Sequence, residues 1–258
     1  MACYHPAAMR CRIAVIAVLA ALAGCSKEQG PELAPVEPAQ YQEDHQAWRA
    51  EQREMLRSVL PIRGIWPLPE GRAEADKLAG GSVELVETSM GDDRQFVLAI
   101  DNSHPAATSP PDVESYPLDP RWRVAAQFKS YEQAKRVRVP DVRGGFMEFT
   151  AVGTLSFRLQ GQPMQLTAFG EPDSPEFFVM FKDPTNESTT YRGYRILSPK
   201  VVKEGGWTVL DFNFAMNPPC AYSPYTTCPL PPPENKLPVA VEAGLKRLPS
   251  ANGYTPAS

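Results

Sequence analysis

Three thiols sit where their surroundings suggest a chemistry. Cys25 closes the run Leu22-Ala23-Gly24-Cys25, directly after eleven apolar residues from Ile13 to Ala23. Small residues before a cysteine at that place have the form of a bacterial lipobox, in which the thiol takes a diacylglyceryl group. Cys220 and Cys228 lie in a Pro-rich segment, and an even pair in an oxidising compartment reads as a disulfide. The alternative is a redox or metal site, which lacks both Cys-x-x-Cys spacing and a neighbouring histidine.

A second group with chemical potential is the polar set Asp183, Thr185, Tyr191, Arg195, Asp211, Asn213, Asn217, Glu234 and Asn235. Carboxylates beside an Arg and a Tyr can line a small-ligand pocket or act as general acid and base in a hydrolysis. The same residue types also tie loops, because Asp and Asn next to Pro form Asx-turns that satisfy backbone N–H groups. That structural role is the preferred expectation, and no catalytic residue is assigned. The chain has no Gly-x-Ser-x-Gly elbow, His-Glu-x-x-His helix, Gly-x-Gly-x-x-Gly turn or Walker loop. Of its three histidines, His5 lies in the leader, His45 on a helix face and His104 before Pro105. No metal or cofactor is expected.

The elements that would position these groups begin with a leader. Arg10 and Arg12 precede the apolar run without any acid. Eleven helical residues reach only ~16 Å against a bilayer core of ~30 Å, so residues 1–24 read as a signal peptide and not as a span. Removing it takes away two arginines and moves the formal charge from −4 to −6. Negative charge disfavours nucleic acid as a partner. Residues 25–40, with Pro31, Pro35 and Pro38, read as a lipidated flexible tether. From Tyr41 to Leu60 the side chains Tyr41, His45, Trp48, Gln52, Met55 and Val59 share one helical face, and Pro61 ends the helix.

Beyond Pro61 the period becomes two. Trp122, Val124, Ala126 and Phe128 alternate with polar or small residues, as do Leu155, Phe157 and Leu159. Gln160-Gly161-Gln162-Pro163 turns the chain into Met164, Leu166 and Ala168, which makes a hairpin. Further strands are expected at Val83–Thr88, Gln95–Ile100, Glu176–Phe181, Thr190–Leu197, Trp207–Phe212 and Val239–Ala243. Ser103–Pro120, with five prolines, is a long loop. Arg121–Arg143 carries a local net charge of +5, and its alternation suits the solvated face of two strands. The expected architecture is a single mainly-β domain over residues 41–248. It is an antiparallel sandwich or partly closed barrel, with an N-terminal amphipathic helix and a Pro-rich C-terminal wrap.

The most distinctive text is Asp183, Thr185, Thr190-Tyr191, Arg195, Asp211-Phe212-Asn213, Asn217-Pro218-Pro219-Cys220, Cys228-Pro229-Leu230-Pro231 and Glu234-Asn235. With these residues the chain resembles the family known as domain of unknown function 1684, over about residues 145–245. The resemblance implies the fold class and brings no activity. The functional expectation is therefore a lipid-anchored cell-envelope protein on the periplasmic face. Ser26 after the lipidated Cys25 suits the outer membrane. The acylated Cys25 makes the membrane a partner; no other ligand or partner is assigned. The β domain would serve as a binding or structural module, the alternative being a hydrolase of a small or cell-envelope substrate using Asp183, Asp211 or Glu234.

Overall fold

Glu37 and Pro38 start the first helix earlier than the apolar stripe alone suggests. In the computed structural model, which describes residues 30–90, 94–141, 144–171 and 174–248, helix α1 runs Pro38–Val59. The Glu37 carboxylate accepts the Gln40 amide at 2.8 Å, and Pro38 takes the first helical position, where it has no N–H to satisfy. Pro38–Gln40, expected in the tether, are thus the first turn of α1. The leader, Cys25 and residues 26–29 lie outside the described residues, as does Arg143. Tyr41, His45, Leu56 and Val59 are buried. Trp48, Gln52 and Met55 are half-buried on the same side.

Strand β1 (Ile62–Pro67) follows, then the short helix α2 (Arg72–Asp76), β2 (Val83–Met90), β3 (Arg94–Asp101) and the single turn α3 (Pro105–Thr108). These three strands form an antiparallel sheet in the order β1-β3-β2. Its buried centre is Val97 and Ala99.

The larger sheet is also antiparallel and curls into a half-barrel. It has the order β6-β5-β4-β9, from β4 (Arg123–Pro140), β5 (Phe146–Leu159), β6 (Gln162–Phe169) and β9 (Trp207–Asp211). The expected hairpin is present: Leu159 pairs with Gln162, and both Gln160 (φ 50°) and Gly161 (φ 77°) adopt the positive φ that a tight two-residue loop requires. Inward residues Ala126, Phe128, Leu155, Phe157, Leu166 and Leu210 form the main core. Register shifts between Ser130 and Lys135 and between Ala151 and Gly153 bend the long strands.

Between β6 and β9 the short strands β7 (Val179–Phe181) and β8 (Arg195–Leu197) pair with each other. Both are shorter than expected. Glu176 and Phe178 make isolated bridges, and Thr190–Gly193 belong to an irregular stretch entering β8. Val239–Ala243 departs further. Val239, Val241 and Ala243 are buried and alternate with exposed residues, yet the segment has no ladder partner among the described residues. The Val241 amide and the Val241 and Ala243 carbonyls are met by side chains instead. The wrap reaches it through a parallel bridge from Lys182 to Lys236 and leaves through a bridge from Ser115 to Leu245.

Upstream of α1, residues 30–37 run without helix or strand along the outer face of the half-barrel. Arg123 Nη1 donates to the Ala34 carbonyl at 3.4 Å. Gly30 lies against the Trp207 indole so closely that any Cβ there would overlap the ring.

Candidate functional site

Asp-Pro at 183–184 followed by Asn186 makes a capped turn. The Asp183 side chain accepts the Thr185 amide at 3.1 Å, and the Asn186 side chain accepts the Asp183 amide at 2.7 Å, a reciprocal capping box. Asp183 Oδ1 also meets Arg195 Nη2 at 2.8 Å, with both side chains wholly buried. Arg195 then reaches the wrap. Its Nη2 donates to the Val241 carbonyl at 2.9 Å and its Nη1 to the Ala243 carbonyl, while the Val241 amide donates to Asp183 Oδ2 at 2.8 Å. The guanidinium lies over the Phe181 ring, 5.0 Å from its centre. Burial lowers the Arg195 pKa and the Asp183 carboxylate opposes that shift. Two buried charges therefore do the work of a missing strand neighbour.

A second cluster ties α1 to the end of β9. Tyr41 Oη donates to the Asp211 carboxylate at 2.9 Å and accepts from Asn213 Nδ2 at 2.9 Å. Asn213 Nδ2 also donates to the Asp119 carbonyl at 2.9 Å, while its Oδ1 accepts the Asp119 amide at 3.1 Å. Arg123 Nε faces Asp211 Oδ2 at 3.2 Å. Burial raises the Asp211 pKa, and the hydrogen bonds from Asn213 and Tyr41 pull it back. Burial and the neighbouring Asp211 charge raise the Tyr41 phenol.

The remaining expected residues are dispersed. Asn235 is fully buried and imitates a strand: its Oδ1 accepts the Thr167 amide at 2.7 Å, and its Nδ2 donates to the Thr167 and Met180 carbonyls at 3.0 and 2.7 Å. Glu234 beside it is exposed and accepts from the Thr167 hydroxyl at 3.3 Å. Asn217 Nδ2 bridges Tyr222 Oη and the Lys246 carbonyl. Cys220 and Cys228 are buried and joined, with 6.1 Å between their Cα atoms. Tyr191 Oη lies 3.6 Å from Cys220 Sγ. His45 is buried among Trp48 and Phe214.

The set therefore does not converge on one cleft. Asp183, Thr185 and Arg195 form one buried tie, Asp211 and Asn213 another, and Asn235 a third. Tyr41, which the sequence places only on the apolar face of the helix, joins Asp119, Thr167 and Asn186 in completing these ties. Asn186 alone had a local signal, three residues beyond an Asp-Pro turn. Tyr41 meets Asp211 across 170 residues.

Two open clefts flank Leu248. One, of about 730 Å³, is bounded by Ile62, Arg63, His104, Tyr222 and Tyr225. The other, of about 600 Å³, is lined by Glu114, Thr189, Tyr191, Arg192, Lys246 and Arg247. At its rim Lys246 Nζ stands 3.5 Å from Glu114 Oε2 and 5.2 Å from the Tyr116 ring centre, and the Tyr116 hydroxyl bonds to Thr189 Oγ1. Among the described residues, no three His, Cys, Asp or Glu side chains are placed to hold a metal ion, and no helix is long and apolar enough to cross a membrane.

A family model described as "Protein of unknown function (DUF1684)" matches residues 111–246. The smaller cleft is built almost wholly from that stretch, whereas the larger draws half its wall from residues before it. Among solved structures, the chain is similar to an uncharacterized protein of Haloarcula marismortui determined by solution NMR. The identity is 26% and the TM-score 0.52, covering 81% of this chain and 95% of that one. No curated protein matches the chain. Since the family model spans more than half of its length, including the Asp183–Arg195 tie and the disulfide, the chain belongs to the DUF1684 family.

Proposed function

We propose that this is a lipid-anchored cell-envelope protein, held through acylated Cys25 on the periplasmic face of the outer membrane, whose β domain is a binding module for a small anionic ligand. One observation carries the choice of binding over hydrolysis. The carboxylates of Asp183 and Asp211 are already committed to the backbone amides of Thr185, Val241 and Asn213 and to Arg195, Tyr41 and Arg123. A general acid or base needs a proton path to substrate: Asp183 is wholly buried, and Asp211, although partly exposed at a cleft beside Trp48 and Phe214, has both carboxylate oxygens held by these partners. Glu234, the third candidate of the hydrolase reading, stands exposed and accepts from the Thr167 hydroxyl. The cleft of Arg192, Lys246 and Arg247 is open by contrast, and three cations against the single Glu114 favour negative charge.

The anchor is tested by Cys25→Ser, which should move the protein from the membrane to the soluble fraction; continued tight association would reject lipidation at that residue. The binding role is tested by thermal shift against phosphorylated and carboxylated sugars and their neutral parents. An anionic compound should raise Tm by mass action, and Lys246→Ala with Arg247→Ala should abolish the rise. Equal shifts with neutral parents would reject the anionic class.

A further inference from the structure

We propose that the outer face of the half-barrel beside Trp207 rests on the phospholipid headgroups of the leaflet that holds the acyl chains of Cys25. The proposal depends on the lipid anchor above and adds an orientation to it.

The first argument is reach. Five residue steps separate Cys25 from Gly30, and a fully extended chain covers at most ~3.6 Å per residue, so Gly30 stays within ~18 Å of the lipidated residue. Gly30 is not at the end of a loose leash: it is packed on the Trp207 indole, and Ala34 is hydrogen-bonded to Arg123. A tether docked along the sheet cannot lift the domain away, so the face carrying Trp207 is the one nearest the bilayer.

The second argument is what that face presents. Cross-strand register aligns Trp207 with Gln127, Gln127 with Ser156, and Ser156 with Gln165, all pointing away from the core. Trp207 is 41% exposed, although large apolar side chains elsewhere in this sheet are mostly buried. Lys129 is exposed next to this row and Arg158 half-exposed; the outward residues from Ala125 to Lys129, Thr154 to Arg158 and Trp207 to Val209 include no acid, and Glu204, in the turn before Trp207, lies within electrostatic reach of Lys129. An indole with an apolar body and a polar N–H suits the headgroup layer. Lysine and arginine near an anionic surface add attraction that acts within about a Debye length, ~8 Å.

The test uses the full-length acylated protein in vesicles of phosphatidylcholine and phosphatidylglycerol carrying nitroxide headgroups. A fluorophore is attached at Gln165→Cys on the outer face or at Glu242→Cys on the wrap, which covers the opposite face. Quenching should be several-fold stronger at position 165. Trp207→Ser combined with Lys129→Glu and Arg158→Glu should bring the two positions toward equality while the protein stays on the vesicles, and Trp207→Ser alone should move them part of the way. Equal quenching in the vesicle-bound wild-type chain would overturn the orientation and leave the anchor intact. A chain that does not sediment with vesicles, or lacks the acyl mass at Cys25, would overturn the anchor and the orientation with it.

Discussion

Replacing Arg195 by Met separates the electrostatic part of the buried tie from the backbone part. Removing one partner of a buried ion pair costs about 3–5 kcal/mol, because the Asp183 carboxylate is left uncompensated. The Val241 and Ala243 carbonyls lose their donors as well, at about 1 kcal/mol each or more. The expected loss is about 5–7 kcal/mol, a large part of a usual stability of 5–15 kcal/mol. For a domain of this size that corresponds to a fall in Tm of roughly 10–25 °C. The informative companion is Asp183→Leu with Arg195→Met, which removes both charges. If the charges were all that mattered, the double variant would return to wild-type stability or exceed it, as replaced ion pairs often do. On the present reading it stays about 4 kcal/mol below, since the amides of Thr185 and Val241 and the carbonyls of Val241 and Ala243 are all still unpaired. Urea denaturation of the Cys25→Ser chain with the disulfide intact measures both. A double variant with the wild-type midpoint would refute the idea that these side chains replace a strand neighbour.

Changing Cys220 and Cys228 together to Ser should lower stability by about 2.6 kcal/mol, the chain-entropy value for a loop of nine residues, and titration of the unreduced, denatured wild-type protein should find neither thiol free. Gly244 has φ 77°, and a Cβ there would lie 2.6 Å from the Ala215 carbonyl oxygen, so Gly244→Ala should cost about 2–3 kcal/mol by calorimetry. Burial holds the His45 imidazole below its usual pKa of about 6.5. The unfolded chain then binds a proton that the folded one excludes, so stability is full above pH 6.5 and declines as pH falls below it. His45→Phe should flatten that decline in urea midpoints compared at pH 7 and pH 5, leaving the share due to His104, which burial also lowers.

Local periodicity made some of this architecture readable. The apolar face of α1 and the alternation of Leu155, Phe157, Met164 and Leu166 depend on neighbours along one element, and the capped turn at Asp183 depends on residues three apart. Val239–Ala243 shows where that reasoning ends. Its alternation reports burial of one side accurately, but burial does not say whether a strand or an arginine satisfies the backbone. The Tyr41–Asp211 contact was invisible for a related reason, since spacing along the chain carries no sign of a hydrogen bond formed across 170 residues. The path of residues 30–37 along the sheet is not legible in composition: proline and polar residues exclude a core of their own, yet not attachment to a sheet built by others.

The clamp on the wrap also sets an order of events during synthesis. Asp183 waits 58 residues for the Val241 amide, and Arg195 waits 48 for the Ala243 carbonyl. A chain that stopped short of residue 239 would contain every strand of the half-barrel and both buried charges, but would lack the Val241 amide and the Val241 and Ala243 carbonyls that complete their pairing. Termination or clipping before residue 239 would therefore yield a chain open to proteolysis, not a trimmed working domain. Residues 239–243 thus act as the completion signal of the fold.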